Sequence, residues 1–279
     1  MNVNRREFLA GSSSMLLLLG CRHLIEGTSS SPNITIKTRR EIEEKINMVY
    51  GSYVFIITES IYRYPDYDSL LEQTIKQLSV RDYSDHVLVS YIERLLNDFA
   101  RAEGRGMIRS IAIPYKNVLL VLDHTTTYKE GKLPIKLGSF EIDIEIADIE
   151  VQEESTTLNG MTLEEIANDP ARDLAVFKLP RNYDGSRFPF GLGDSDNIYL
   201  GQPVYVLGYP SLTKEELRVG IISNRDLSDN KFDVSVIMTR GDSGTACVDY
   251  ETFSLLGINA TANSVYGSVV PINYYKGYI

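Results

Sequence analysis

Phe140-Glu141-Ile142-Asp143-Ile144-Glu145-Ile146 alternates apolar and acidic residues without a break. Successive side chains of an extended chain point to opposite faces, so this period of two puts four apolar residues on one side and three carboxylates on the other. Such a segment is a half-buried antiparallel strand. Apolar runs of strand length surround it: Ile108 to Ile113, Val118 to Leu122 and Leu174 to Leu179. Beyond Arg181-Asn182-Tyr183-Asp184-Gly185-Ser186, which has linker chemistry, follow Val204 to Leu207, Leu217 to Ser223, Phe232 to Thr239, Thr245 to Val248, Phe253 to Ile258 and Ser268 to Ile272. Thr162 to Ala167 reads as a short helix or loop insertion. Many short strands without regular intervening helices indicate an all-β core of two barrels, with about six strands on each side of the linker.

Helical signals are confined to the first part of the chain. Thr38-Arg39-Arg40-Glu41 is a capping-box pattern, followed at helical spacing by Ile42, Ile46 and Val49. After a strand-like Tyr53 to Ile57 comes a helical block, Asp68 to Val80 and Ser84 to Glu103. Leu71, Ile75, Leu78, Leu88, Tyr91, Ile92, Leu95 and Phe99 mark its buried faces, and Gly104 is placed to end it. The expected organisation is a helix and first barrel over 38–180, with a helical insertion at 64–106, and a second barrel over 187–279.

The 279 residues are 43% hydrophobic and 24% charged, enough for a sizeable core, with a net charge of −10 and no dense basic cluster. That balance argues against nucleic-acid binding. No His pair or Cys–His cluster has ligand spacing, so neither a metal nor another cofactor is expected. Residues 1–20 read as an export signal: Arg5-Arg6, Phe8-Leu9, then the apolar run Met15 to Leu19, too short to span a bilayer stably. Arg5-Arg6-Glu7-Phe8-Leu9 resembles the twin-arginine pattern. Leu18-Leu19-Gly20-Cys21 resembles a bacterial lipobox, with Cys21 as the lipidated residue; the rival is an ordinary signal peptide with an incidental cysteine. Residues 21–37, rich in Ser, Thr and Asn, read as a tether. The expectation is an exported, lipid-anchored protein, periplasmic or on the outer face of a bacterial membrane. Cys247 is then the only free thiol, so no internal disulfide forms.

The chemistry centres on Gly241-Asp242-Ser243-Gly244, between two strand-like runs. A serine hydroxyl needs a neighbouring base and donors aimed at the oxyanion it creates. Gly241 would let the N–H groups of Gly241 and Ser243 converge, although Gly, Asp and Ser also make ordinary turns. Of the three histidines, His23 lies in the tether and His86 opens a helix, whereas His124 follows the apolar strand Val118 to Leu122. Asp173 opens the strand Leu174 to Leu179, where a carboxylate can hold an imidazole in one tautomer. His124 and Asp173 precede the linker and Ser243 follows it, as a catalytic seam between two barrels requires.

In these residues the chain resembles the chymotrypsin-fold serine proteases, and within them the HtrA (Deg) branch. Asp173 to Lys178 is similar to that branch's Asp-Leu-Ala-Val-Leu-Lys, with Phe177 in the fifth place. Leu192-Gly193-Asp194-Ser195, Gly208-Tyr209-Pro210, Val219-Gly220-Ile221-Ile222-Ser223 and Leu255-Leu256-Gly257-Ile258-Asn259 resemble further family segments in order, from about Met107 onward. The resemblance implies two six-stranded antiparallel β-barrels of the chymotrypsin type. It implies His124 as general base, Asp173 as its orienting carboxylate, Ser243 as nucleophile, and Gly241 and Ser243 as the oxyanion hole. Ile237, Ala260, Thr261 and Ala262 would line the substrate pocket, which has no acidic residue and should prefer small or medium apolar side chains. The partner is a polypeptide substrate, and the sequence leaves oligomerisation open.

Departures accompany the match. Asp123 stands where the family has Ala or Asn, and Thr245-Ala246-Cys247 replaces the family's Gly-Pro-Leu. The helical insertion is long, and no PDZ-like segment follows. A rival of another class is therefore a protease-fold lipoprotein that binds or scaffolds with weak or no catalysis. Gly193-Asp194-Ser195 is a poor GDSL-esterase motif, because it lies deep in the chain within an all-β region. Ser243 lacks the Gly-x-Ser-x-Gly spacing of an α/β-hydrolase.

Overall fold

The computed structural model describes residues 36–79, 86–100, 102–127, 131–137, 140–147, 149–227, 230–262 and 266–279. The export signal, Cys21, His23 and most of the tether lie outside these residues. The chain divides into Met1–Glu44 and Lys45–Ile279. Of the first unit only helical residues 36–44 are described, with an exposed Arg40–Glu44 pair one turn apart. The second unit holds the whole β region. Among the described residues no helix is long and apolar enough to cross a membrane.

A helix spans Ile36–Tyr50, starting ahead of the capping box expected at Thr38. Strand β1 (Val54–Arg63) is followed by helices Tyr67–Ser79 and His86–Phe99. Strands β2 (Glu103–Tyr115), β3 (Val118–Val121), β4 (Gly131–Leu137), β5 (Phe140–Ile146), β6 (Glu150–Leu158), β7 (Met161–Thr162), β8 (Glu164–Asp169) and β9 (Leu174–Lys178) complete the first half. The second half holds β10 (Pro203–Gly208), β11 (Glu216–Asn224), β12 (Phe232–Val234), β13 (Ala246–Asp249), β14 (Leu255–Ala262) and β15 (Gly267–Pro271).

The second half is a closed six-stranded barrel in the order β10-β11-β12-β15-β14-β13, as expected. The first half is a seven-stranded sheet, β7-β6-β1-β2-β3-β9-β8, with β4 and β5 as a separate hairpin, so it is a half-barrel and not a closed six-stranded one. Both halves are antiparallel throughout their ladders. Each half has its own core. Ile56, Leu119, Val121, Ala175 and Phe177 fill the first, and Val204, Val206, Ile222, Phe232 and Val269 the second.

The alternation that opened the sequence is visible at Ile144-Glu145-Ile146, where the two isoleucines are buried and the glutamate exposed. The two helices cover that face. Leu70, Ile92 and Leu96 pack with Tyr62, Tyr64, Ile144 and Ile146. Gln73 and Gln77, one turn apart, bond the edge of β5 as a neighbouring strand would. The Gln73 side chain accepts from the Ala147 N–H at 2.7 Å and donates to the Ala147 carbonyl at 3.3 Å. The Gln77 side chain accepts from the Glu145 N–H at 3.1 Å and donates to the Glu145 carbonyl. An open edge with unpaired N–H and C=O groups invites association, and these amides occupy it.

The segment expected as a helix or loop at Thr162 to Ala167 is mostly strand β8. Its register slips between Glu165 and Ala167, a bulge that breaks the period-two signature.

Candidate active site

His124 sits in a 3-10 turn, Asp123–Thr125, at the end of β3. The turn is closed by the Asp123 carbonyl, which accepts the Thr126 and Thr127 N–H groups at 2.9 and 3.0 Å. The Asp123 side chain is buried and accepts the Thr127 hydroxyl at 2.9 Å. The charge that replaces the family's Ala or Asn is thus used to brace the turn that carries His124.

Asp173 ends the 3-10 turn Pro170–Arg172 in the left-handed region, at φ 58° and ψ 44°. A non-glycine residue costs energy there, and such positions recur at functional sites. The strained backbone turns its carboxylate toward His124. The His124 backbone N–H donates to Oδ1 at 3.1 Å, and ring Nδ1 lies 2.8 and 2.9 Å from Oδ1 and Oδ2. A carboxylate only accepts, so Nδ1 carries the proton and Nε2 presents its lone pair as a base. The Lys231 ammonium bonds Oδ2 at 2.9 Å from the second barrel. Burial alone would raise the Asp173 carboxyl, but His124 and Lys231 outweigh it and bring it down to about 2.

The Gly241–Gly244 loop is built around a buried carboxylate. Asp242, 1% exposed, accepts the Tyr209 N–H at 2.9 Å, the Thr239 N–H at 2.6 Å and the Thr239 hydroxyl at 3.2 Å. Arg218 on β11 supplies its counter-charge, 2.6 Å away, and also bridges Glu216. Gly241 has φ 99°, and a Cβ there would lie 2.6 Å from the Ser211 nitrogen. Gly244 has φ 90°, and a Cβ would lie 2.2 Å from the Ile111 carbonyl oxygen of β2. Only glycine fits either place. The Asp242 and Gly244 N–H groups bond Thr239 and Asn259 carbonyls at 3.0 and 2.9 Å. The Gly241 and Ser243 N–H groups, expected as the oxyanion hole, donate to none of the described residues.

Thr245, which departs from the family pattern, is fully buried. Its hydroxyl donates to the Asp242 carbonyl at 2.6 Å and accepts from the Asn259 side chain at 2.8 Å. The Ser243 hydroxyl donates to the Ala260 carbonyl, at the point where the β14–β15 register slips. No hydrogen bond joins Ser243 to His124, so the His–Asp half of the constellation is assembled and the Ser–His contact is not made. Ile237 is exposed on the run leading into the loop, and Ala260, Thr261 and Ala262 lie at the end of β14. The side chains of Thr261 and Ala262 fall outside the described residues.

The two halves of the site are tied across the barrels. The buried Tyr275 hydroxyl donates to the Val121 carbonyl at 2.8 Å, just ahead of the His124 turn. The Tyr53 hydroxyl donates to the Leu207 carbonyl at 3.0 Å and accepts the Ala246 N–H at 2.9 Å, just after the serine loop. Arg218, Lys231 and Tyr275 carry no sequence signal that marks them, whereas Asn259 closes the family-like segment Leu255 to Asn259. Each is a single polar residue whose partner lies elsewhere in the chain.

Residues 143–258 match the model of the trypsin-like peptidase domain family. The match includes Asp173 and Ser243 and begins after His124, so the place of His124 rests on the geometry. No curated protein matches the chain by sequence. Among solved structures, a serine-to-alanine variant of the HtrA-type protease AlgW with a decapeptide aligns with a TM-score of 0.52 at 17% identity, over 83% of this chain and 63% of that one. AlgW with a decapeptide aligns with a TM-score of 0.48 at 18% identity, over 83% and 64%. The chain thus spans less than two thirds of the length of these neighbours. The protein has the chymotrypsin-type fold of the HtrA-type protease with which it aligns, and its residues 143–258 are similar to the trypsin-like peptidase domain.

Proposed function

We propose that the protein is a serine endopeptidase of the bacterial cell envelope, acting through His124, Asp173 and Ser243. The observation that carries this reading is the clamp on His124. Asp173 receives both the ring Nδ1–H and the backbone N–H of the same residue, which leaves Nε2 as base. For reaction, Ser243 turns its hydroxyl from the Ala260 carbonyl to Nε2. His124 takes the Oγ proton as Oγ attacks the scissile carbonyl carbon. The carbonyl oxygen becomes an oxyanion received by the Gly241 and Ser243 N–H groups, each donor worth roughly 10²–10³ in rate. His124 gives the proton to the leaving amine as the C–N bond breaks, and an acyl ester remains on Ser243. His124 then deprotonates a water that hydrolyses this ester, and returns the proton to Ser243.

We assign the pocket for the residue before the scissile bond to Ile237 and the stretch Ala260 to Ala262 at the end of β14. Cleavage of a peptide library should favour small or medium apolar residues there and stop in Ser243→Ala; a dominant basic preference contradicts the pocket assignment. Export follows from residues 1–20, and a lipid on Cys21 holds the protein at the membrane surface. Metabolic labelling with a palmitate analogue, lost in Cys21→Ala, tests that anchor.

A second reading has one observation in its favour. The Ser243 hydroxyl is engaged by Ala260, as it would be in a binding protein that keeps the fold without turnover. Absence of cleavage by well-folded protein supports that alternative.

A further inference from the structure

Asp173 has a second partner, a cation, that a His–Asp–Ser constellation does not require. Lys231 immediately precedes β12 of the second barrel, and its ammonium lies 2.9 Å from Asp173 Oδ2. The pair is largely buried, with 22% of the lysine side chain and 12% of the aspartate side chain exposed. Its neighbour Asn230 adds a second tie, donating to the Ala171 carbonyl at 3.1 Å. Asn230 and Asp173 both hold left-handed backbones, at φ 56° and 58°. Each left-handed residue thus sits where a contact crosses the seam, Asn230 to Ala171 and Lys231 to Asp173.

We propose that Lys231 is a positioning residue for the triad, which keeps Asp173 turned to His124 and offsets part of the carboxylate's charge at the imidazole. The inference rests on the protease reading above. The physical argument concerns what each charge does to a proton on the imidazole. Asp173 favours the imidazolium, and a cation on the same carboxylate opposes it. Removal of Lys231 therefore leaves the full charge of Asp173 acting on the imidazole. Other charged or titratable groups around the pair are engaged elsewhere. Asp123 on the His124 turn receives Thr127. Arg172 beside Asp173 pairs with Asp169 and stacks on Tyr274. Tyr275, from the C-terminal turn, bonds the Val121 carbonyl.

The test compares Lys231→Met and Lys231→Arg with the parent protein, and uses Lys178→Met as a control, since among the described residues Lys178 pairs with exposed Glu164 and not with Asp173. Peptide hydrolysis against pH should show the acid limb of Lys231→Met moved up by about one unit, and its rate on that limb about tenfold lower. Lys231→Arg should restore the parent profile, and Lys178→Met should keep it. NMR titration of the His124 imidazole, identified by its loss in His124→Gln, reads the same coupling without turnover. A moved NMR midpoint in protein that cleaves nothing supports the Lys231 coupling and contradicts the protease reading. Loss of rate equally at all pH values, with an unmoved limb and NMR midpoint, overturns the proposal, because a merely structural lysine would behave so.

Discussion

Arg218→Met removes the counter-charge of the carboxylate at the centre of the serine loop. Asp242 would keep three neutral donors, the N–H groups of Tyr209 and Thr239 and the Thr239 hydroxyl, but no cation. Breaking a buried ion pair by removing one partner costs about 3–5 kcal/mol, because the remaining charge stays desolvated. The surviving donors put this case near the lower end, about 3 kcal/mol. The half-exposed Glu216 bridge to Arg218 adds little. For a chain of this size the melting temperature should fall by about 6–12 °C. The same loop presents the Gly241 and Ser243 N–H groups, so kcat should fall about 10²-fold with KM little changed. Arg218→Lys keeps the charge but cannot bridge both carboxylates, and should lie between the two. Thermal denaturation and steady-state peptide hydrolysis measure both effects. A melting temperature within about 2 °C of the parent, with kcat within about twofold, would refute the view that this ion pair shapes the loop.

Two further substitutions probe the site. Asp173 has a folded-state value near 2 against an ordinary 3.8, so its contribution to stability is present above about 4 and is lost as pH falls from 4 to 2. That contribution is about 2 kcal/mol. Asp173→Asn should flatten the dependence of the urea midpoint between pH 6 and pH 3, whereas an unchanged slope would remove Asp173 from the titration. Gly244→Ala drives a Cβ to 2.2 Å from the Ile111 oxygen at φ 90°, and should abolish hydrolysis and lower the melting temperature by several degrees. Gly160→Ala, at φ 77° with open space around it, carries only backbone strain of about 1 kcal/mol and should retain full activity.

Local chemistry was legible in the sequence wherever a short pattern determines the structure. The period-two run at 140–146, the apolar strands before His124 and after Asp173, and the glycines of the serine loop all appear where their patterns place them. Features set by pairing across the chain were not legible. Strand β1 continues to Arg63 because it pairs with β2 as far as Glu103, although its apolar signal weakens after Ile57. Phe232 to Thr239 read as one strand, but β12 stops at Val234, and the Thr239 N–H goes to the Asp242 carboxylate and not to a neighbouring strand. Arg218 is an isolated cation in a strand-like segment, and Lys231 is another just ahead of one. Only folding brings them to Asp242 and Asp173, 24 and 58 residues away. The helical insertion announced its apolar face, but that it covers β5 through Gln73 and Gln77 depends on two polar residues with no distinguishing context.

The most direct test of the triad is covalent. The purified protein is treated with a fluorophosphonate and digested, and the modified residue is located by mass spectrometry. A working triad predicts one adduct on Ser243, absent in Ser243→Ala and strongly reduced in His124→Gln. Folded protein that takes no label on Ser243, or that labels equally without His124, would contradict it.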